Sequence, residues 1–234
     1  QSHREGYRGR LMNVKRAAAL LLCLALLVTL GGFTPPLKRF QAEFFGLFDT
    51  VTTIVGYAPS RERFTAAAEE ARAILREYHE LYDIYNAYEG LVNLKTVNDT
   101  AALHPVKVDP RVIDLIEFAR RICAETGGQV NIAMGAVLRI WHEYREFGIE
   151  NPDMAEVPDM ALLRQAAEHT KFDDVVVDRQ AGTVYFADPE LKLDVGSVAK
   201  GYAVEQTARR LEEMGFRHLL ISVGGNVRAV GGKP

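Results

Sequence analysis

One apolar stripe constrains the fold of this chain more than any other feature, because its residues recur at three- and four-residue spacing. This spacing places them on one face of a helix. We therefore predict a long amphipathic helix from Arg61 to about Tyr85. The stripe consists of Phe64, Ala67, Ala71, Ile74, Leu75, Tyr78, Leu81, Tyr82 and Tyr85.

Further elements are predicted on both sides of this helix. The run 44–57 mixes aromatic and β-branched residues, as a strand does. The polar segment 86–99 separates the long helix from a second one, which begins near Pro110 and is stopped by Thr126-Gly127-Gly128. A third helix is predicted over Met134 to Phe147, with Gly148 as its stop, and a fourth over Asp159 to Thr170.

The pattern changes to strands after Phe172. Two β-rich runs flank a turn at 180–182, and a short third strand is predicted to end at Asp194. A helix over Val198 to Met214 follows, with Gly215 in the C-cap place. A strand, a Gly-Gly break and another strand complete the order, which favours an α+β fold over a regular doubly wound sheet.

Composition restricts the classes of function. The formal net charge is only −3, so no basic surface argues for nucleic acid as a partner. Cys23 and Cys123 are the only cysteines and lie far apart in the sequence, which makes a disulfide framework improbable.

The N-terminus resembles an export signal. Arg10, Lys15 and Arg16 precede an uncharged apolar run over 17–30, which is typical of a signal peptide. We assign residues 12–33 to a signal peptide or an uncleaved membrane anchor, and 34–43 to a linker. Residues 1–11 lie upstream of Met12 and are predicted to be non-native.

The stretch LDVGSVAKGY, residues 193–202, lies between a predicted strand and a predicted helix. Asp194 stands at the strand end, and Gly196 and Gly201 remove side chains where a ligand could approach. An anion at the helix start would use its free N–H groups and pair with Lys200, which otherwise opposes the helix dipole. The alternative is an ordinary tight turn with an exposed lysine.

Other motifs have simpler interpretations. Thr126-Gly127-Gly128 can be a glycine C-cap without function, and Tyr85 lies in phase with its helix stripe and is by default a core tyrosine. The sequence lacks a P-loop and a G-x-G-x-x-G motif. No zinc motif and no hydrolase elbow around Ser197 or Ser222 can be recognised.

Three motifs in order, LDVGSVAKGYAVE, TGGQVNIAMGAVLRIW upstream of it and LISVGGNVRAVGGKP downstream, resemble the FAD:protein FMN transferase (ApbE) family, especially its Gram-positive-type members. The resemblance covers about 44–234. It implies a T-fold-related α+β domain, with an antiparallel sheet flanked by helices, on the extracytoplasmic face of the membrane. It also implies magnesium-dependent transfer of FMN from FAD to a threonine of a flavoprotein subunit in a membrane redox complex.

The resemblance also implies roles for individual residues. Asp194 and Lys200 would contact FAD and act in catalysis, and Ser197 would help to hold magnesium. Tyr85 and, in a looser alignment, Phe45 would contact the flavin nucleotide, and Asn131 stands where many members have aspartate. The segment that lines the nucleotide would be Thr126, Gly127, Gly128 and Gln129.

Two expectations concern the end of the chain and the reaction. The sequence ends on Lys-Pro directly after a predicted strand, so we expect a C-terminally truncated domain whose remaining magnesium ligands lie beyond Pro234. The alternatives to transfer are FAD hydrolysis to FMN and AMP, and FAD binding without turnover.

Overall fold

The computed structural model describes residues 36–234. The predicted leader at 12–33 and the upstream residues 1–11 lie outside this range. None of the helices within it combines the length and apolar character needed to cross a bilayer.

The long helix α1 spans Arg61–Tyr82, and its first turn is capped by the Ser60 hydroxyl, which accepts a hydrogen bond from the Arg63 N–H. It ends three residues before the predicted end. Asp83 leaves the helical region with ψ 124°, because its carboxylate accepts the N–H groups of Tyr85 and Asn86. Tyr85 therefore lies outside the helix.

The main sheet has four strands in the order β1-β2-β6-β7. These are β1 (Lys38–Leu47), β2 (Thr50–Ala58), β6 (Leu219–Val223) and β7 (Asn226–Val230). β2 pairs antiparallel with β6, with Thr52 opposite Val223. The predicted strand over 44–57 is two strands joined by a tight turn, and 38–43, predicted as linker, belongs to β1.

Two helices pack against this sheet, namely α1 and the helix α6 (Ala199–Glu213). Every second residue of β2 and β6 is buried, as expected for a sheet with one face on the core. Ile54, Leu75, Leu211 and Ile221 are at most 2% exposed in this core. Gly215 follows α6 with φ +88°, which confirms the predicted glycine at the helix end.

A second antiparallel sheet has the order β3-β5-β4. It consists of β3 (Val106–Lys107), β4 (Val175–Asp178) and β5 (Thr183–Phe186). The hairpin between β4 and β5 was predicted correctly. Helix α3 (Pro110–Glu125) also matches its prediction and is joined to this hairpin by ion pairs of Arg179 with Asp114 and Glu117.

Three more α-helices, α2, α4 and α5, lie between the strands of the two sheets in the chain. Helix α2 (Leu94–Thr100) was missed because its seven residues are too few for a periodic pattern. Helix α4 (Gly135–Glu150) continues through Gly148, the predicted stop, and α5 (Met160–Ala167) is shorter than predicted. Antiparallel sheets flanked by helices confirm the predicted α+β class.

Candidate functional site

The segment that carries Asp194 is not a strand, contrary to prediction. Its backbone is held by a side chain: Asn98 Nδ2 donates to the Leu193 carbonyl at 2.9 Å, and the Leu193 N–H donates to Asn98 Oδ1 at 2.7 Å. The Asp194 N–H donates to the Ile132 carbonyl at 2.8 Å. Because Leu193 bonds to a buried asparagine instead of a neighbouring strand, the segment is extended without joining either sheet.

Glycines allow this segment to pack closely. A Cβ at Gly135, the first residue of α4, would lie 2.5 Å from the Lys192 carbonyl oxygen. At Gly196, a Cβ would lie 3.1 Å from Asp194 Oδ1, which accepts the Gly196 N–H at 2.9 Å. A glycine is therefore favoured at position 196 for a structural reason: a side chain there would crowd the Asp194 carboxylate, which folds back to accept the Gly196 N–H.

Helix α6 begins directly after this turn. Val198 at its N-cap offers no side-chain hydrogen bond to the first turn, and Lys200 lies in that turn and lines the same cavity as Asp194. The N-terminal end of a helix carries partial positive charge and attracts anions. A carboxylate, a lysine and a helix N-terminus therefore meet at one end of the cleft.

Asp83 fixes the loop that forms another part of the cavity lining. Its carboxylate accepts hydrogen bonds from the Tyr85 and Asn86 N–H groups, from the Asn86 amide and from the Tyr88 hydroxyl. Burial alone would raise the pKa of Asp83, but these donors outweigh it and hold the pKa below its ordinary value. Burial, together with the bond to Asp83, raises the pKa of Tyr88 to about 12.

This loop presents Tyr85 to the cleft, where the side chain is 53% exposed. The interpretation as a core tyrosine is therefore wrong. Its ring stacks on His142 of α4 with the centroids 4.7 Å apart and an angle of 29°. His142 Nδ1 in turn lies 2.8 Å from an Arg145 guanidinium nitrogen. Burial and the nearby Asp194 carboxylate raise the pKa of Tyr85.

Sequence reasoning missed the turn between β1 and β2. Phe48 and Asp49 both have positive φ, at 52° and 53°, a strained conformation for residues other than glycine. The Phe48 N–H donates to His79 Nδ1 at 3.2 Å, and the two rings meet edge to face. Both side chains line the cavity with Asp194. No glycine marks this turn in the sequence, so the run was predicted to continue as strand.

Three adjoining cavities, of about 220, 400 and 580 Å³, share Tyr85 and Asp194 among their lining residues. Pockets for small ligands typically measure about 300–1,000 Å³. The three cavities thus adjoin at these two residues, and the cavities of about 220 and 400 Å³ are together called the cleft.

Several predicted site residues do not line this cleft. Phe45 is 73% exposed on β1, and Ser197 is exposed beside the start of α6. Gly127 and Gly128 close α3 with positive φ, and their N–H groups donate to the Ala124 and Cys123 carbonyls, as in a Schellman motif. The segment from Thr126 to Gln129 does not line the cleft. The residues that follow it contact the site, since the Ile132 carbonyl accepts a hydrogen bond from the Asp194 N–H.

The donor atoms near Asp194 were considered for a metal. Within residues 36–234 no group of three or more His, Cys, Asp or Glu side chains is placed to hold a metal ion. Asn131 uses its side chain structurally, since Oδ1 accepts the Ala133 N–H and Nδ2 donates to the Thr170 carbonyl. Of the carboxylates that line the cavity with Asp194, Asp83 is engaged by hydrogen bonds. The Asp194 and Asp49 carboxylates and the nearby Ser197 oxygens are therefore available as hard donors.

The fold and the cleft define a class: α+β proteins with antiparallel sheets flanked by helices and a cleft at the N-terminal end of one helix. The chain belongs to the ApbE family, whose model matches residues 48–234. The FAD:protein FMN transferase of Treponema pallidum is 30% identical over 173 residues, which are 71% of this chain and 44% of that protein. One from Klebsiella pneumoniae is 27% identical over 166 residues, 71% of this chain and 49% of that protein.

Solved structures show the same fold. The ApbE protein of Thermotoga maritima superposes with a TM-score of 0.69 at 24% identity, covering 84% of this chain and 60% of that one. The flavin transferase ApbE of Vibrio cholerae gives 0.68 at 22% identity, covering 83% and 60%. The chain spans about half the length of the curated relatives it matches.

Proposed function

We propose that this protein transfers FMN from FAD to a threonine hydroxyl of an acceptor protein. The observation that carries the proposal is the meeting of Asp194, Lys200 and the N-terminus of α6 at one end of a cleft that also presents Tyr85. A lysine beside a helix N-terminus suits a diphosphate, and an exposed aromatic ring suits a flavin or adenine. The names of the relatives support this choice of substrate.

In the proposed reaction the threonine oxygen attacks the phosphorus of the FMN half of FAD. The P–O bond to the AMP phosphate breaks, AMP leaves, and the hydroxyl proton passes to solvent. Negative charge grows on the departing phosphate, and Lys200 with the first turn of α6 would stabilise it. Asp194 would hold the nucleotide at the turn, because its Oδ1 bond to Gly196 fixes the direction of the carboxylate.

Magnesium is proposed as the metal of this site. Mg²⁺ usually takes one or two carboxylates together with substrate phosphates and water, and the oxygens of Asp194 and Ser197 are donors of that kind. When bound, it would neutralise charge on the phosphate oxygens. Thr126, Gly127, Gly128 and Gln129 remain proposed nucleotide contacts, and Phe48 is a better placed aromatic contact than Phe45, since it lines the cavity with Asp194.

The test compares Asp194→Asn with Asp173→Asn, whose side chain is fully exposed away from the cleft. The full chain, including the segment expected beyond Pro234, is incubated with FAD, Mg²⁺ and a set of threonine-bearing flavoprotein domains, and labelling is measured as in-gel flavin fluorescence. We expect Asp194→Asn to lose at least 90% of the labelling rate, roughly 1.4 kcal/mol or more in the barrier, with an unchanged thermal midpoint. Asp173→Asn should label at the wild-type rate.

Three outcomes would contradict the proposal. Free FMN and AMP without a labelled acceptor would mean FAD hydrolysis. Retained FAD without turnover would mean a binding module. Full labelling by Asp194→Asn would remove this carboxylate from the site.

We further propose that the protein acts on the extracytoplasmic face of the membrane, on a flavoprotein subunit of a membrane redox complex. The support is the positively charged and then apolar pattern of residues 10–30. A reporter enzyme fused after Phe44 should be active only outside the cytoplasm. Activity of a cytoplasm-specific reporter at the same junction would refute this location.

A further inference from the structure

Exposed apolar side chains concentrate in the stretch of the chain that forms α4, α5 and the segment between them. Of the 17 large hydrophobic residues that are exposed among the described residues, eight lie between Leu138 and Leu162. Scattered exposed apolar residues need no explanation, but neighbouring ones mark an interaction surface, and Leu138, Trp141 and Ile149 line one cavity. The eight are Leu138, Trp141, Phe147, Ile149, Met154, Val157, Met160 and Leu162.

The core beneath this group is small. Helices α4 and α5 pack through a separate cluster of only three buried residues, Val137, Ile140 and Leu163. Helix α4 therefore presents apolar side chains that neither α5 nor the main core covers. Trp141 and Phe147 are 45% and 47% exposed, and Ile149 is 65% exposed.

This surface is continuous with the proposed catalytic cleft. The cavity of about 580 Å³ is lined by Trp141 and Ile149 and also by Tyr85 and Asp194. We name it the α4 groove. An acceptor protein has to bring its hydroxyl to the phosphate beside Asp194, so a segment lying in the α4 groove would be guided to the reacting atoms.

The charge around the groove indicates the chemistry of its occupant. Arg139 and Arg145 are already paired with Glu143 and Glu146. Glu156 lines the α4 groove, Asp153 lines a second cavity that Glu156 also lines, and within residues 36–234 neither takes part in an ion pair. An unpaired acidic border favours a basic partner and disfavours an anionic lipid surface.

We propose that the α4 groove binds the acceptor protein, through a segment that carries apolar and basic side chains next to the threonine that receives FMN. The inference rests on the proposed function. The apolar side chains would pack against Trp141 and Ile149, and a lysine or arginine would pair with Glu156. The groove thereby selects the acceptor, whereas the cleft selects the nucleotide.

The test uses Ile149→Ser and Glu156→Lys, with Leu103→Ser and Glu190→Lys as matched exposed controls away from the groove. FMN transfer is measured against increasing concentration of the acceptor domain that the wild-type protein labels best. We expect each groove variant to raise the acceptor KM about tenfold, with kcat at saturating acceptor and the Kd for FAD unchanged. The controls should keep the wild-type KM.

Each other outcome overturns the inference in a distinct way. If the wild-type protein labels no acceptor, the proposed function fails and this inference fails with it. If labelling proceeds and the groove variants keep the wild-type KM, only the docking surface is wrong. A changed oligomeric state in sedimentation would make the surface a self-association face, and a lowered thermal midpoint with unchanged KM would make it an internal packing face.

Discussion

Asn98 is the residue on which the position of Asp194 depends most directly. Its buried side chain bonds to both backbone groups of Leu193, as a neighbouring strand would do. Its own carbonyl accepts a 2.6 Å hydrogen bond from Lys192 Nζ. One side chain from α2 thus supplies both backbone hydrogen bonds of Leu193, which the residue does not obtain from a sheet.

We predict that Asn98→Asp is strongly destabilising. The variant replaces the amide group that donates to the Leu193 carbonyl by a carboxylate oxygen. The buried Leu193 carbonyl then loses its hydrogen-bond donor, and the new carboxylate charge is buried away from water. We expect about 2–4 kcal/mol less unfolding free energy, measured by urea denaturation. The same change at Asn151, whose amide bonds to Phe147 at an exposed helix end, should cost less than about 1 kcal/mol, and equal losses at both positions would refute the role of Asn98.

At the scale of elements, the long helices and two of the hairpins, β4-β5 and β6-β7, could be predicted from the sequence. The apolar stripe gave α1 to within three residues, and the glycines gave the ends of α3 and α6. Helix periodicity and glycine positions are local properties, so a single sequence carries them. For the same reason, Asp194 and Lys200 could be placed on the two sides of one turn.

The elements that were missed depend on distant partners. Helix α2 is capped by Asn93, whose side chain also donates to the Glu80 and Asn86 carbonyls. The 191–194 segment depends on a residue about 95 positions earlier. His142, Phe48 and His79 enter the site only because α4, the first hairpin and α1 converge there, which no local pattern could indicate.

At the scale of the whole molecule, lowered carboxylate pKa values make stability depend on pH. Six carboxylates in different parts of the fold, held by hydrogen bonds or arginines, have pKa values below their ordinary ones. A carboxylate whose pKa is depressed by folding contributes stability above its unfolded pKa and loses it as the pH falls through the folded pKa. The six are Glu62, Asp83, Asp109, Glu117, Asp188 and Glu205.

We therefore predict that the thermal midpoint falls most steeply below about pH 4.5. The unfolded chain binds protons there first, because the ordinary pKa values are 3.8 for aspartate and 4.5 for glutamate. Calorimetry from pH 6 to pH 3 would measure this. Asp83→Asn should be less stable than wild type by about 1 kcal/mol at pH 6 and should approach it at pH 3. A constant difference across this range would contradict the role assigned to the Asp83 charge.

The pairing of β2 with β6 has a consequence for the order of folding. Thr52 and Val223 lie side by side in the sheet although about 170 residues separate them in the chain. At a synthesis rate of roughly 5–20 residues per second, β6 emerges on the order of 10–30 s after β2. During that interval the inner edge of β2 has no strand to pair with, and an unpaired edge is prone to aggregation. Long-range pairing of this kind also slows folding, so chaperone demand should be greatest before β6 is made.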